Sequence, residues 1–204
     1  MSSVTARRTR SPVRRRRLAA LLIAAALALL AIAAAAGIGP LGEAVRELTL
    51  PLRHDDIIRQ QAADKGLDPA LVAAVIYEES RFRDQTSHAG ARGLMQITPD
   101  TARFIARDSG GTEFVEGDLA TPQINIAYGS YYLRYLLEKY DGDLELAVAA
   151  YNAGETNVNQ WLAQAGGESF EAEDIPFPET RAYVENVLDS RKEYADHYAD
   201  ELGL

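Results

Sequence analysis

The sequence predicts a mainly α-helical globular body behind a long apolar amino-terminal segment. Two observations carry this. Apolar residues recur at helical spacing between capping signals from residue 55 onward, and no stretch alternates apolar and polar residues between hairpin turns. Residues 18–39, LAALLIAAALALLAIAAAAGIG, carry no charge. As a helix they would reach roughly 33 Å, enough to cross a hydrocarbon core.

The domain organisation follows from these two features. Seven arginines precede residue 18 and no acid occurs before Glu43, so residues 1–17 read as a basic cytoplasmic tail. Residues 18–39 read as a single-pass transmembrane anchor that leaves the body outside the cytoplasm. A cleaved secretory signal is the alternative, because Ala33–Ala36 offer small residues for cleavage. Residues 40–54 read as a short connector with one helical turn at most, and 55–204 as one globular domain.

Within the body, Asp55–Lys65 forms a first helix that Gly66 ends. Asp68-Pro69 opens a helix through Ser80, Thr98-Pro99 one to about Arg107, and Thr121-Pro122 one to about Tyr140. Asp143 caps Leu144–Tyr151, which Gly154 stops. Further helices are expected over Thr156–Ala165, ended by Gly166-Gly167, and from Glu179 to about Ala199. The connecting loops are 83–97, 108–120 and 166–178.

Composition excludes several functions. With the seven amino-terminal arginines set aside, 14 basic residues face 30 acidic ones, and such a body has no basic face for nucleic acid. The absence of cysteine removes disulfides, thiol catalysis and thiolate metal sites. His54, His88 and His197 have no metal-ligand spacing, so neither metal nor cofactor is expected.

One carboxylate stands out. Leu71, Val72, Val75 and Ile76 share a helix face, and Glu79 follows Val75 by four residues. Glu79 therefore points at the core or a cleft, whereas Glu78 is expected to be solvated. A desolvated carboxyl holds its proton toward neutral pH, the property of a general acid. The bland reading is a helix-end glutamate paired with Arg81 or Arg83.

Four segments occur in order: Glu78–Phe82 (EESRF), Ala91–Ala102 (ARGLMQITPDTA), Ala150–Gly154 (AYNAG) and Ile175–Val184 (IPFPETRAYV). Together they resemble the soluble-lytic-transglycosylase type catalytic domain of the lysozyme-like superfamily, across about Ile57–Leu188. The resemblance implies a lysozyme-like fold and cleavage of peptidoglycan glycan strands into 1,6-anhydromuramic ends, with Glu79 catalytic. It implies that Ser80 positions the substrate or the glutamate, and that Gly93, Met95 and Gln96 form a cleft wall. It further implies that Tyr151 can donate a hydrogen bond to Glu79, that Asn152 meets an acetamido group, and that Glu179 and Tyr183 line the cleft. Met95 and Tyr151 also fit core packing, Ser80 a helix-end hydroxyl, and Glu179 an acid in a first helical turn. Trp161 reads as core. The competing functions are a hydrolase like goose-type lysozyme and a non-catalytic glycan-binding scaffold.

Overall fold

The computed structural model describes residues 12–35, 39–110, 115–166 and 170–204, in two compact units divided after Thr49. The arginines at 7, 8 and 10, residues 36–38 of the apolar run and Gly167 lie outside the described residues.

The first unit holds α1 (Pro12–Ala35) and α2 (Gly39–Thr49). Among the described residues no helix is long and apolar enough to cross a membrane. The predicted transmembrane helix is therefore not supported there. The connector expectation also changes, since α2 is an eleven-residue helix and not a single turn. Its signal was the spacing of Leu41, Val45 and Leu48, which share one face and are exposed.

The second unit begins at Leu50 and, among the described residues, is built of α-helices with two short 3-10 turns and two isolated bridges. Its helices are α3 (Asp55–Lys65), α4 (Pro69–Ser80), α5 (Pro99–Asp108), α6 (Pro122–Lys139), α7 (Leu144–Ala153), α8 (Glu155–Ala165), α9 (Pro178–His197) and α10 (Ala199–Leu202). The starts follow their caps. Asp68 accepts from the Ala70 amide at 2.8 Å, Thr98 from that of Thr101 at 3.1 Å and Asp143 from that of Leu146 at 3.0 Å. Thr121 makes no side-chain cap, so fixed proline geometry starts α6. The long last helix ends close to the expected position, and a further short helix follows it. The two meet at Tyr198, whose hydroxyl donates to the Leu50 carbonyl at 2.7 Å.

α4 is the centre of this unit. Ala70 to Ile76 are buried on every side, not on one face only. Burying a valine or isoleucine contributes about 1.5–3 kcal/mol, so this helix is fixed mainly by packing. α9 lies along it, and three side-chain bonds join the two. The Arg191 guanidinium donates to Asp68 at 2.6 Å, Ser190 donates to Glu78 at 2.7 Å, and Tyr183 donates to Glu79 at 2.7 Å.

The 81–97 loop after α4 is held from inside. Arg81 and Phe82 both take positive φ, 50° and 59°, which reverses the chain and buries Phe82 against Tyr194. Asn125 of α6 is fully buried and binds three chain segments. It accepts from the Met95 amide at 2.7 Å and donates to the carbonyls of Arg92 and Leu119, each at 2.9 Å. Gly93, at φ 77°, has no room for a side chain, since a Cβ would lie 2.2 Å from the Asn125 amide.

Gly129 of α6 faces Met95 with the same closeness, a Cβ there lying 2.3 Å from the Met95 Sδ and 2.7 Å from its Cβ. Alanine gains about 1 kcal/mol of helix propensity over glycine, but overpacking costs about 1–3 kcal/mol. Gly129→Ala should therefore lower unfolding free energy in urea by up to about 2 kcal/mol. The loss for Met95→Ala together with Gly129→Ala should fall short of the sum of the single losses by about 1 kcal/mol.

Candidate active site

Glu79 lies in the last turn of α4, half-buried, with Oε1 accepting from Tyr183. Burial raises its pKa from 4.5 to about 7. The Tyr183 hydrogen bond favours the ionised form and offsets part of that rise, while the neighbouring Glu78 charge adds to it. Burial and the Glu79 charge keep the Tyr183 hydroxyl protonated well above the ordinary tyrosine range, so it remains a donor. Glu78 is not freely solvated as expected. It is half-buried, and Ser190 of α9 holds its carboxylate.

These groups open onto a cleft of about 410 Å³, lined by Glu78, Glu79, Asn152, Glu179, Ala182, Tyr183 and Asn186. Asn152 comes from the end of α7 and Glu179 from the first turn of α9, where it is exposed. Glu179, Tyr183, Asn186 and Ser190 follow one another by four, three and four residues, one face of α9 turned toward the end of α4.

Of the predicted site residues, the fold thus gathers Glu79, Asn152, Glu179 and Tyr183 around one cavity. The other five do not line it. Ser80 is buried, and its hydroxyl donates to the Leu94 carbonyl at 2.7 Å, tying α4 to the 93–96 loop. Met95 is wholly buried in the core and offers no surface to a ligand. Gly93 makes its close approach to Asn125, not to the cleft. Gln96, at φ 48°, donates to the carbonyls of Gly93 at 2.7 Å and Gln85 at 3.1 Å. The Tyr151 hydroxyl goes to the Met95 carbonyl at 2.9 Å, so Tyr183 supplies the bond to Glu79 that Tyr151 was expected to make. Tyr151 still lies near enough for the Glu79 charge to raise its own pKa.

Sequence reasoning passed over Ser190, Asn186 and Asn125. The first two were legible as a continuation of the Glu179–Tyr183 face. Asn125 sits between Ile124 and Ile126, and only burial marks it out.

Residues 56–173 match the family model described as the transglycosylase SLT domain. This chain belongs to that family. The soluble lytic murein transglycosylase of Salmonella typhimurium is 35% identical over 148 residues, 70% of this chain and 23% of the relative. Membrane-bound lytic murein transglycosylase F of Cellvibrio japonicus is 32% identical over 130 residues, 59% of this chain and 24% of the relative. The 70 kDa soluble lytic transglycosylase of Escherichia coli matches in structure with a TM-score of 0.70 and 33% identity, over 76% of this chain and 26% of that one. An inactive glutamate-to-glutamine mutant of lytic transglycosylase Slt from Pseudomonas aeruginosa matches with a TM-score of 0.68 and 34% identity, over 74% and 25%. The SLT chain described here thus spans about a quarter of the length of these relatives.

The Glu79 environment has two measurable consequences. The carboxyl should titrate near pH 7 by carbon-13 NMR, and Tyr183→Phe should move that midpoint upward, because the lost bond favoured the anion. Stability links to the same proton. A raised folded-state pKa gives stability fully present below pH 4.5 and lost as pH rises to about 7. Glu79→Gln does not titrate, so its melting temperature should gain on the wild type between pH 4.5 and about 7 and hold a constant lead above that.

Proposed function

We propose that this chain is a peptidoglycan lytic transglycosylase that cleaves the MurNAc-β-1,4-GlcNAc bond without water. The observation that carries this reading is a carboxyl poised near pH 7, held by Tyr183 at the wall of an open cleft. The relatives named soluble lytic murein transglycosylase support it. So does the complex of the 70 kDa soluble lytic transglycosylase with bulgecin A, to which this chain is 32% identical with a TM-score of 0.70, over 76% of this chain and 26% of that one.

The mechanism needs one group that is acid first and base second. Protonated Glu79 gives its proton to the glycosidic oxygen as the bond to the anomeric carbon breaks. The muramic acetamido group stabilises the oxocarbenium-like centre, as in substrate-assisted glycosidases. The Glu79 carboxylate then takes the proton of the muramic 6-hydroxyl, whose oxygen closes on the anomeric carbon. The carboxyl ends as it began. A pKa near neutrality suits both halves, since neither proton transfer is steeply uphill. In this reading Asn152 and Glu179, which line the cleft, bind sugar substituents. Ser80, Gly93, Met95, Gln96 and Tyr151 fix the loop that follows α4.

A hydrolytic reading has one observation in its favour. Glu179 shares the cleft with Glu79 and would be the carboxylate to activate a water. Product chemistry separates the two. The full chain acting on purified peptidoglycan should release muropeptides one water lighter than reducing ends by mass spectrometry. Reducing muramic ends would transfer the assignment to a hydrolase. Glu79→Gln should lower either product by about 10²–10⁴-fold or more while retaining glycan binding.

The same reading places the body outside the cytoplasmic membrane, with residues 18–39 as anchor or signal. The absence of charge over that run and the arginines before it support this. Immunoblots of fractionated cells should find the full-length chain in the membrane fraction. A soluble product shortened by about 36 residues would replace the anchor with a cleaved signal.

A further inference from the structure

A second hollow of about 360 Å³ adjoins the Glu79 cleft, and the two share Asn152 and Glu179 on their walls. Phe177 and Pro178 form its rim, with Ala153 and Thr180 completing it. Phe177 is 45% exposed, unusual for a phenylalanine that packs on a buried tryptophan. Its ring meets Trp161 at 5.1 Å with the planes at 80°, so a core residue fixes the ring from one side. Pro176 and Pro178 flank it and restrict the backbone on both sides. The chain therefore presents a fixed aromatic surface to solvent beside the cleft.

The polar groups of this hollow are also arranged. Thr180 donates to the Asn152 Oδ1 at 2.9 Å and sets the orientation of the amide. The amide nitrogen, with two donors, bonds to nothing among the described residues. The Glu179 carboxylate adds acceptors. An apolar ring, an oriented donor and a carboxylate acceptor suit a pyranose ring. Such a ring has one face of C–H groups, which the negative face of an aromatic ring attracts, and a rim of hydroxyl and acetamido groups.

We infer that Phe177 is the stacking platform of an additional saccharide subsite, which holds a ring of the glycan strand beyond the bond at Glu79. The inference rests on the peptidoglycan reading above. The subsite lengthens the stretch of glycan that the enzyme grips, so its effect grows with substrate length.

Defined GlcNAc-MurNAc tetrasaccharides and octasaccharides test this with the full chain. In Phe177→Leu, the advantage of the octasaccharide over the tetrasaccharide in kcat/KM should fall about tenfold, a change carried by KM. Phe177→Trp should restore it. Leucine keeps the packing on Trp161, and an equal loss on both lengths would mark a structural role and overturn the subsite. An unchanged length advantage would overturn it too. The same oligomers with peptide stems cover the other occupant, and a loss confined to peptide-bearing substrates would reassign the hollow to the stem. The dissociation constants of both lengths for Glu79→Gln, with and without Phe177→Leu, are read by calorimetry. They test the platform even if the wild type yields no anhydro products, the outcome that would sink the lytic reading alone.

Discussion

Burial of α4 is the constraint on which the rest depends. From Ala70 to Ile76 the helix is enclosed on every side, so its last turn emerges at a fixed place and angle. Glu78 and Glu79 leave the core there with little freedom. Carboxylates in such a position need partners, because desolvation without hydrogen bonds is costly. α9 supplies both through Ser190 and Tyr183, and the Arg191 bond to Asp68 ties it to the other end of α4. The site is therefore a product of helix packing before it is a product of loop structure.

The loop after α4 is built to the same standard. Its carbonyls and amides are engaged by Ser80, Tyr151, Gln96 and Asn125, side chains drawn from three helices and the loop itself. Met95 fills the space above Gly129, and Gly93 admits Asn125. Buried backbone groups must be paired, and this network pairs them without regular structure. Rigidity here matters to the chemistry, since a proton donor that wanders by an ångström loses most of its effect.

The electrostatics follow from the same packing. Burial raises the affinity of Glu79 for its proton, the Glu78 charge adds to the rise and the Tyr183 hydroxyl restrains it. Opposed influences leave the carboxyl near neutrality instead of locking it in one state. A group that must be acid and then base in one cycle works best at that balance. The Tyr183 hydroxyl keeps its proton across this range and so can hold either form of the carboxyl in place.

Much of this was legible in the sequence. Asp68-Pro69, Thr98-Pro99 and Asp143 announce their helices because capping is local chemistry. The position of Glu79 was legible because helical periodicity carried it to the apolar face. Local rules also misled. They allowed 40–54 a single helical turn although Leu41, Val45 and Leu48 keep helical spacing, and they took Glu78 for a solvated residue. Tertiary structure alone decided which tyrosine reaches Glu79. Tyr151 and Tyr183 both sit at helical spacing suited to facing inward, and only the packing of α9 on α4 directs the Tyr183 hydroxyl to the carboxylate and leaves Tyr151 on the Met95 carbonyl. The same holds for Met95 and Gly93, which pack against residues 30 or more positions away, Asn125 and Gly129. A sequence displays the chemistry each residue can offer and the face it occupies. Which partner receives it is set by contacts between distant segments, which local propensity does not encode.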